Sequence, residues 1–521
     1  MAADGVVIEG ARPEMLKPEY DYVIVGAGAA GCVLANRLSE DGWSSVLAIE
    51  GGGTDIGQAK ISDPRLWPTN FGTDTDWGYS TVPQPHLNGR SIVAPVGKVI
   101  GGGSSINATV WLNGDRADYD AWEAAAGPDW GFDNLIRNFK KAERYAGGES
   151  TMRGGSGMIA TRTPDRSHPV TQAFITSAVA CGKAERRDVN DVAQVGDVTG
   201  QNDINTDMAM RRVSAAHGYL YPALTRGNLT LLTHAAVTKL EIAGGECRGV
   251  FVSVGGEMRR IAAAKEVILS AGGIMSPKLL MLSGVGPADH LRSLGVPLVL
   301  DQPRIGANLH DHLLTRLLFS TQSANPPQTD TGHAGITWHK TNASRRGPDI
   351  QIFGRMFVPN APEVKPDEAY AIMVGLMKPK SRGSVRLASA DPHAAPVVDP
   401  NYFADPADVD AYVAGMELAL AIGNGPGFAA MRKAQVSIPR AGRSDIVGHI
   451  RANAGTYYHY VGTCEMGTDA SAPVDPQLRL RGISGLRVAD ASVMPEVNCC
   501  NTHAPTLALA ERAAEIIRGQ G

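Results

Sequence analysis

The sequence predicts an α/β fold, α+β over the whole chain, on three observations. DYVIVGAGAAG at 21–31 is an apolar run entering a glycine-rich turn, and AGCVLANRLSE and SSVLAIE after it read as a helix and a second strand, which together make a βαβ unit. The 521 residues exceed the roughly 250–300 at which one hydrophobic core stops growing, so two domains or one large discontinuous pair are expected. From 312 to 455 the glycine motifs stop and broken strands surround a helix, which marks off a second domain of α+β type.

Each element follows in order. The strand at 21–25 runs into Gly26, the helix opens at the glycines, and the second strand ends on Glu50. Residues 51–100 are turn-rich, with Trp67, Trp77 and several prolines, and read mostly as loop. Residues 120–145 have helical spacing, and 146–168, rich in Gly, Ser, Thr and Arg, read as a crossing between domains. LTLLTHAAVTKLEI, RGVFVSV and KEVILSAGGI (229–274) read as three strands added to the first sheet, and SPKLLMLSGVG opens a helix. In the second domain YAIMVGLMKP and GSVRLAS read as strands and DVDAYVAGMELALAIG as a helix. The C-terminal segment returns to βα character, with a strand at GLRVADAS and a helix starting at Pro505, where a proline at the first helical position forfeits no hydrogen bond.

Bulk properties narrow the function classes. An apolar fraction of 43% with 20% charge fits a globular protein, and 60 glycines imply many tight turns and close backbone approaches. A net charge of −4 without a long basic run argues against nucleic acid as a partner, because that footprint needs clustered Lys and Arg. Six cysteines in 521 residues are too sparse for a disulfide scaffold. No signal-peptide pattern and no long apolar run stand in the sequence, so a cytoplasmic protein without a membrane partner is expected.

GAGAAG (Gly26–Gly31), placed between strand and helix with Glu50 about twenty residues on, is a dinucleotide-binding pattern: glycines admit a pyrophosphate, the helix N-terminus favours its charge, and the glutamate accepts from a ribose diol. The motif alone leaves NAD and FAD both open. The neighbouring text narrows the choice: GGGSSINATVW (101–111), SAGGIMSPKLLMLSGVGP (270–287), NLHDH (308–312), YYHYVGTCEMG (457–467) and GLRVADASVMPEVNCCNTHAPTLALAERAAEII (485–517) together resemble the glucose-methanol-choline (GMC) oxidoreductases, in order along essentially the whole chain.

That resemblance implies a Rossmann-like FAD-binding domain built from 1–160, 210–311 and 456–521, with a substrate domain carrying an antiparallel sheet from 161–209 and 312–455 lying over the flavin. It carries Gly26, Gly28, Gly31 and Glu50 to the ADP half; Gly102, Ser104, Asn107 and Ala108 to the loop along the flavin; and Val237 to the adenine through its backbone. It carries Asp490 and Ala491 to the pyrophosphate and ribityl chain, and His503, Pro505 and Thr506 to the helix start beneath the flavin pyrimidine. Some members attach the flavin through a histidine in the glycine loop; Ile106 stands there, so FAD is expected to be non-covalent.

Within the family pattern His459 falls on the catalytic base and His503 on its partner, where many relatives have asparagine. Alcohol oxidation needs a group to take the hydroxyl proton while hydride leaves for flavin N5, and imidazole can both accept and donate near neutral pH. The implied activity is FAD-dependent oxidation of a primary alcohol, small or aromatic, to the aldehyde, with oxygen or another electron acceptor. The alternative in the same fold is a hydroxynitrile lyase whose FAD does no redox work. Cys464, Cys499 and Cys500 beside the two histidines lack a C-x-x-C pair and read as buried thiols, with no metal. The roof segment 312–455 offers no evident carboxylate cage for a quaternary ammonium substrate.

Overall fold

The computed structural model describes residues 16–519 except 329, 360 and 441. Two sheets organise it. In the first, strands Leu229–Leu232, Val46–Ile49, Glu19–Val25, Glu257–Leu269 and Leu486–Val488 lie side by side and parallel. Val46–Ile49 is buried along its whole length, as a parallel strand covered on both faces requires, and this explains the near-continuous apolar runs of the sequence. Helix Ala29–Leu38 packs against the C-terminal helix His503–Ile517, where the Arg37 guanidinium donates to the fully buried Glu511 at 2.9 and 2.7 Å. The N-terminal half of the long strand Glu257–Leu269 continues as an antiparallel meander with Glu246–Val254 and Ala235–Ala243.

The segment read as one strand, LTLLTHAAVTKLEI, is two. Thr233 and His234 break it: His234 takes a left-handed φ of 51°, so Leu229–Leu232 joins the parallel half while Ala235–Ala243 joins the meander. The helical stretch expected over 120–145 is likewise two helices, Arg116–Ala126 and Phe132–Ala142, parted at Gly127 and Pro128. A capping box at Asp115 and Asp118 starts the first of them.

The second sheet has eight strands in the order Arg432–Ser437, Leu313–Thr321, Ala369–Leu376, Ile350–Arg355, His333–His339, Val198–Gly200 and Ala184–Glu185, with Gly455–Thr456 also paired to Leu313–Thr321. Its central pairings are antiparallel. The two faces alternate as the pleat demands. Leu313, Leu317, Phe319, Ile352, Tyr370 and Ile372 point into a core with helix Pro406–Gly423, while Leu314, Arg316, Phe353, Arg355 and Met373 point the other way, toward the first sheet. GSVRLAS contributes Ser384–Arg386, which pairs with Val397–Asp399 outside this sheet. Among the described residues no helix is long and apolar enough to cross a membrane.

Candidate functional site

Between the two sheets lies a cavity of about 890 Å³. Its floor meets the carboxyl ends of the parallel strands at Val25 and Ile49, where open α/β sheets place their ligands, and its roof is the inner face of the antiparallel sheet.

One end is lined by backbone. Gly26, Gly28, Ala29 and Ala30 bring the first turn of helix Ala29–Leu38 to the cavity wall, and the N–H groups of a first turn have no acceptor within their own helix. Gly102, at φ 53°, faces Gly28 so closely that a Cβ on it would stand 2.9 Å from the Gly28 Cα. Gly31 does not line the cavity; its role is packing, because a Cβ there would lie 1.9 Å from the Gly26 carbonyl oxygen. Glu50 accepts from the N–H groups of Ala27 at 3.0 Å and Gly52 at 2.9 Å, and burial raises its carboxyl to about 7 against those donors. Val237 and Thr238 line the same end, beside a register shift in their pairing with the neighbouring strand. A cradle of glycine backbone, a helix start and a buried carboxylate fits a dinucleotide.

The middle of the cavity is held by short polar contacts. Ser104 donates to the Gly101 carbonyl at 2.6 Å and accepts from the Ala215 N–H at 3.0 Å, fixing the glycine loop. Asn107 accepts at Oδ1 from the Arg212 guanidinium at 2.6 Å and from the Thr109 N–H at 2.9 Å, and Ala108 lines the wall next to it. Burial pulls Arg212 down to about 9. Asp490 lines the cavity with Ala491, and its carboxylate braces two elements: it accepts from the Gly272 N–H at 2.9 Å, the Ser276 hydroxyl at 2.6 Å and the Ser492 N–H at 2.8 Å.

At the far end His459 and His503 both face the cavity and both are buried. Burial pushes each imidazole down to about 3, with the nearby Arg212 charge adding to the effect at His503, so both are neutral at physiological pH. His459 shares a proton with His312, Nδ1 to Nδ1 at 2.8 Å, and its Nε2 stands 3.5 Å from the Asn501 amide nitrogen. Its backbone N–H donates to Asp311 at 2.7 Å, whose other oxygen accepts from Tyr402 and Thr456, both at 2.6 Å; burial raises the Asp311 carboxyl to about 6. Neither ring nitrogen of His503 has a hydrogen-bond partner among the described residues, and its ring meets Trp111 edge-on at 5.7 Å. Two buried, neutral imidazoles, one of them with unmet polar atoms, suit a ligand that brings a hydroxyl.

Of the residues singled out from the sequence, Gly26, Gly28, Glu50, Gly102, Ser104, Asn107, Ala108, Val237, His459, Asp490, Ala491, His503 and Thr506 line this one cavity; Gly31 and Pro505 do not. Pro505 also sits differently in its helix: the helix begins at His503, so Pro505 is its third residue and not its first. The proline is still tolerated because the first four N–H groups of a helix are unpaired in any case. Sequence reasoning missed His312, Asp311, Asn501 and Arg212 as parts of the site. NLHDH stood out as a motif, yet nothing local in it says that its last histidine meets His459.

Among the described residues no group of three or more His, Cys, Asp and Glu could hold a metal ion. All six cysteines are free thiols, and burial pushes those of Cys464, Cys499 and Cys500 up.

The sequence models of the GMC oxidoreductases match residues 20–314 with the N-terminal part of the family and residues 379–510 with the C-terminal part. The chain is 37% identical to an uncharacterised GMC-type oxidoreductase of Mycobacterium tuberculosis, over 96% of this chain and 99% of the relative. It is 37% identical to an oxygen-dependent choline dehydrogenase of Rhizobium etli, over 96% of each, and 36% identical to an alcohol dehydrogenase (acceptor) of Pseudomonas putida, over 96% of this chain and 95% of that one. The crystal structure of pyridoxine 4-oxidase from Mesorbium loti superposes with a TM-score of 0.92 at 31% identity, covering 96% of this chain and all of that one.

Proposed function

The chain belongs to the GMC oxidoreductase family, and from that premise we propose that it oxidises a primary alcohol, small or aromatic, to the aldehyde, with FAD as its non-covalent cofactor. The observation that carries the reading is the pair of neutral histidines on the same cavity as the glycine cradle. When bound, FAD supplies the hydride acceptor at N5. Residues 1–160, 210–311 and 456–521 form the cofactor domain and 161–209 with 312–455 the substrate domain, a division supported by the segments that feed each sheet.

Gly26, Gly28 and Gly102 would hold the pyrophosphate side, Glu50 the ribose, and Val237 the adenine. Ser104, Asn107, Ala108, Asp490, Ala491 and Thr506 would hold the ribityl and ring portions. Gly31 acts by letting the helix close on the strand, and Pro505 by stiffening the helix start. Ile106, buried and cavity-facing, offers no nucleophile for a covalent link.

His459 is the base. Donating its Nδ1–H to His312 leaves a lone pair on Nε2, and the Asn501 amide facing that nitrogen supports the same tautomer. Nε2 takes the hydroxyl proton of the substrate, and His503, with both ring nitrogens unmet, holds the oxygen from the other side. The buried setting excludes water and keeps the imidazoles uncharged until the substrate delivers its proton.

Anaerobic mixing of the purified protein with a panel of arylmethyl and aliphatic primary alcohols tests the reading. The visible flavin band should bleach with at least one of them, and acid precipitation should release the flavin into the supernatant. A flavin band that persists through the panel while a cyanohydrin is cleaved would replace alcohol oxidation with lyase chemistry.

A further inference from the structure

The roof of the cavity carries two guanidinium groups, those of Arg316 and Arg355. Antiparallel register puts Arg316 opposite Met373, Met373 opposite Phe353, and Arg355 opposite His333, so these side chains share one face of the sheet, and all of them line the cavity. Arg355 donates from Nη1 to the Thr331 carbonyl at 3.0 Å, and among the described residues it has no hydrogen-bonded carboxylate partner. Burial holds its guanidinium below the usual range. Asp330, the one acid that acts on it across space, is itself buried with its carboxyl raised, and it accepts from the Gly332 N–H at 2.8 Å.

The acidic residues that line the cavity are Glu50 at the cofactor end and Asp490 in the middle, both already accepting from backbone N–H groups and neither on the roof sheet. Arg316 stands at the roof as a second cation, 3.9 Å from Glu363. Arg355 is half-buried, and a guanidinium drawn away from water without a paired carboxylate is costly unless a ligand supplies one. Arginine presents a planar fork of donors that matches a carboxylate with two parallel hydrogen bonds.

The wall between this charge and the base is aromatic. Phe353 stacks on Tyr457 at 5.9 Å, and Tyr457 lies 4.6 Å from the His459 ring. A molecule spanning the chamber therefore has its hydroxymethyl end at His459, a flat apolar body along Tyr457 and Phe353, and its remote end at Arg355.

We propose that Arg355 is a specificity-determining residue that pairs with a carboxylate on the substrate, so that the preferred alcohol is an anionic one, with the acid group remote from its CH–OH. This rests on the alcohol-oxidation reading above and names the substrate class of the same site. It also sets this chamber against a quaternary ammonium substrate, which would meet a cation here.

The test compares 4-(hydroxymethyl)benzoate, its methyl ester, benzyl alcohol and choline as reductants of the flavin, with the natural protein, Arg355→Gln and Arg355→Lys. The acid should exceed its ester in kcat/KM by at least 10-fold. Arg355→Gln should raise KM for the acid about 10- to 100-fold, the range for losing a charged hydrogen-bond partner, while kcat and the ester's constants stay within a few-fold. Arg355→Lys should recover part of the preference. Benzoate binding, read from its perturbation of the flavin band, should weaken in Arg355→Gln by a similar factor.

Equal constants for acid and ester in the natural protein, or equal losses for both in a flavin-loaded Arg355→Gln, would overturn the proposal while leaving alcohol oxidation intact. If no alcohol reduces the flavin, alcohol oxidation fails, and the benzoate arm still decides: weaker binding in Arg355→Gln supports an anion site, and unchanged or undetectable binding overturns it.

Discussion

The two ends of the cavity are made of different material. The core of the cofactor end is glycine backbone, a helix start and the buried carboxylate of Glu50, drawn from the contiguous stretch 26–50 and the loop at 101–103 that folds against it, with Val237 added from a strand of the meander. The catalytic end and roof are side chains: His312, Arg355, His459, Asn501 and His503, brought in from a strand, separate loops and a helix start. A backbone-built site depends on the absence of Cβ atoms and is spoiled by adding one. A side-chain-built site depends on which groups the register brings together and is spoiled by removing one.

The sharpest way to break this contrast is Gly31→Val. The Cβ would sit 1.9 Å from the Gly26 carbonyl oxygen, a backbone atom that cannot swing aside, so helix and strand must part. The expected cost lies in the exceptional range above about 4 kcal/mol. Little folded protein should be recovered, and none carrying flavin. A soluble, flavin-loaded Gly31→Val protein with an unchanged thermal midpoint would mean that the cradle is not backbone-limited.

The opposite end should lose chemistry without losing the cofactor. His459→Asn keeps a polar side chain of smaller volume beside His312 but removes the base. The rate of anaerobic flavin reduction should fall about 10²- to 10⁴-fold, the usual contribution of a positioned general base, with the flavin content unchanged. A rate within 10-fold of the natural protein would take the base role from His459. Loss of flavin with the rate would show that the two ends are not separable.

This contrast also explains what could be read before the structure. GAGAAG and Glu50 were legible because a backbone cradle is a local affair, and strand, turn, helix and acidic residue follow one another within thirty positions. His459 and His503 were reached only through the family likeness, since a histidine among tyrosines carries no intrinsic sign of its partner. The His312–His459 contact joins residues 147 apart, and the roof face depends on pairings among strands near 316, 333, 355 and 373, so neither has a local signature. The break at His234 has no mark in the sequence, because a left-handed histidine interrupts the strand without glycine or proline. The helix start was misplaced by two residues because proline is equally at home anywhere in the first turn.

The smallest expected effect separates the two ends by the sign of their pH dependence. His459 is held at about 3 in the folded chain against 6.5 as an ordinary histidine, so its contribution to stability is complete above pH 6.5 and is lost as pH falls toward 3. Glu50 is held at about 7 against 4.5, so its contribution is complete below pH 4.5 and is lost as pH rises through 7. Between pH 4.5 and 6.5 the two therefore oppose each other, each by about 1.4 kcal/mol per pH unit. In flavin-free protein, urea unfolding across that window should give a steeper rise of stability with pH for Glu50→Gln than for the parent, and a shallower one for His459→Asn. Loading with FAD should shrink the Glu50 effect, because hydroxyl donors favour the ionised carboxylate and return it toward its ordinary range. If both substitutions shift the slope in the same direction, burial does not act on the two ends in the opposed way their charges require.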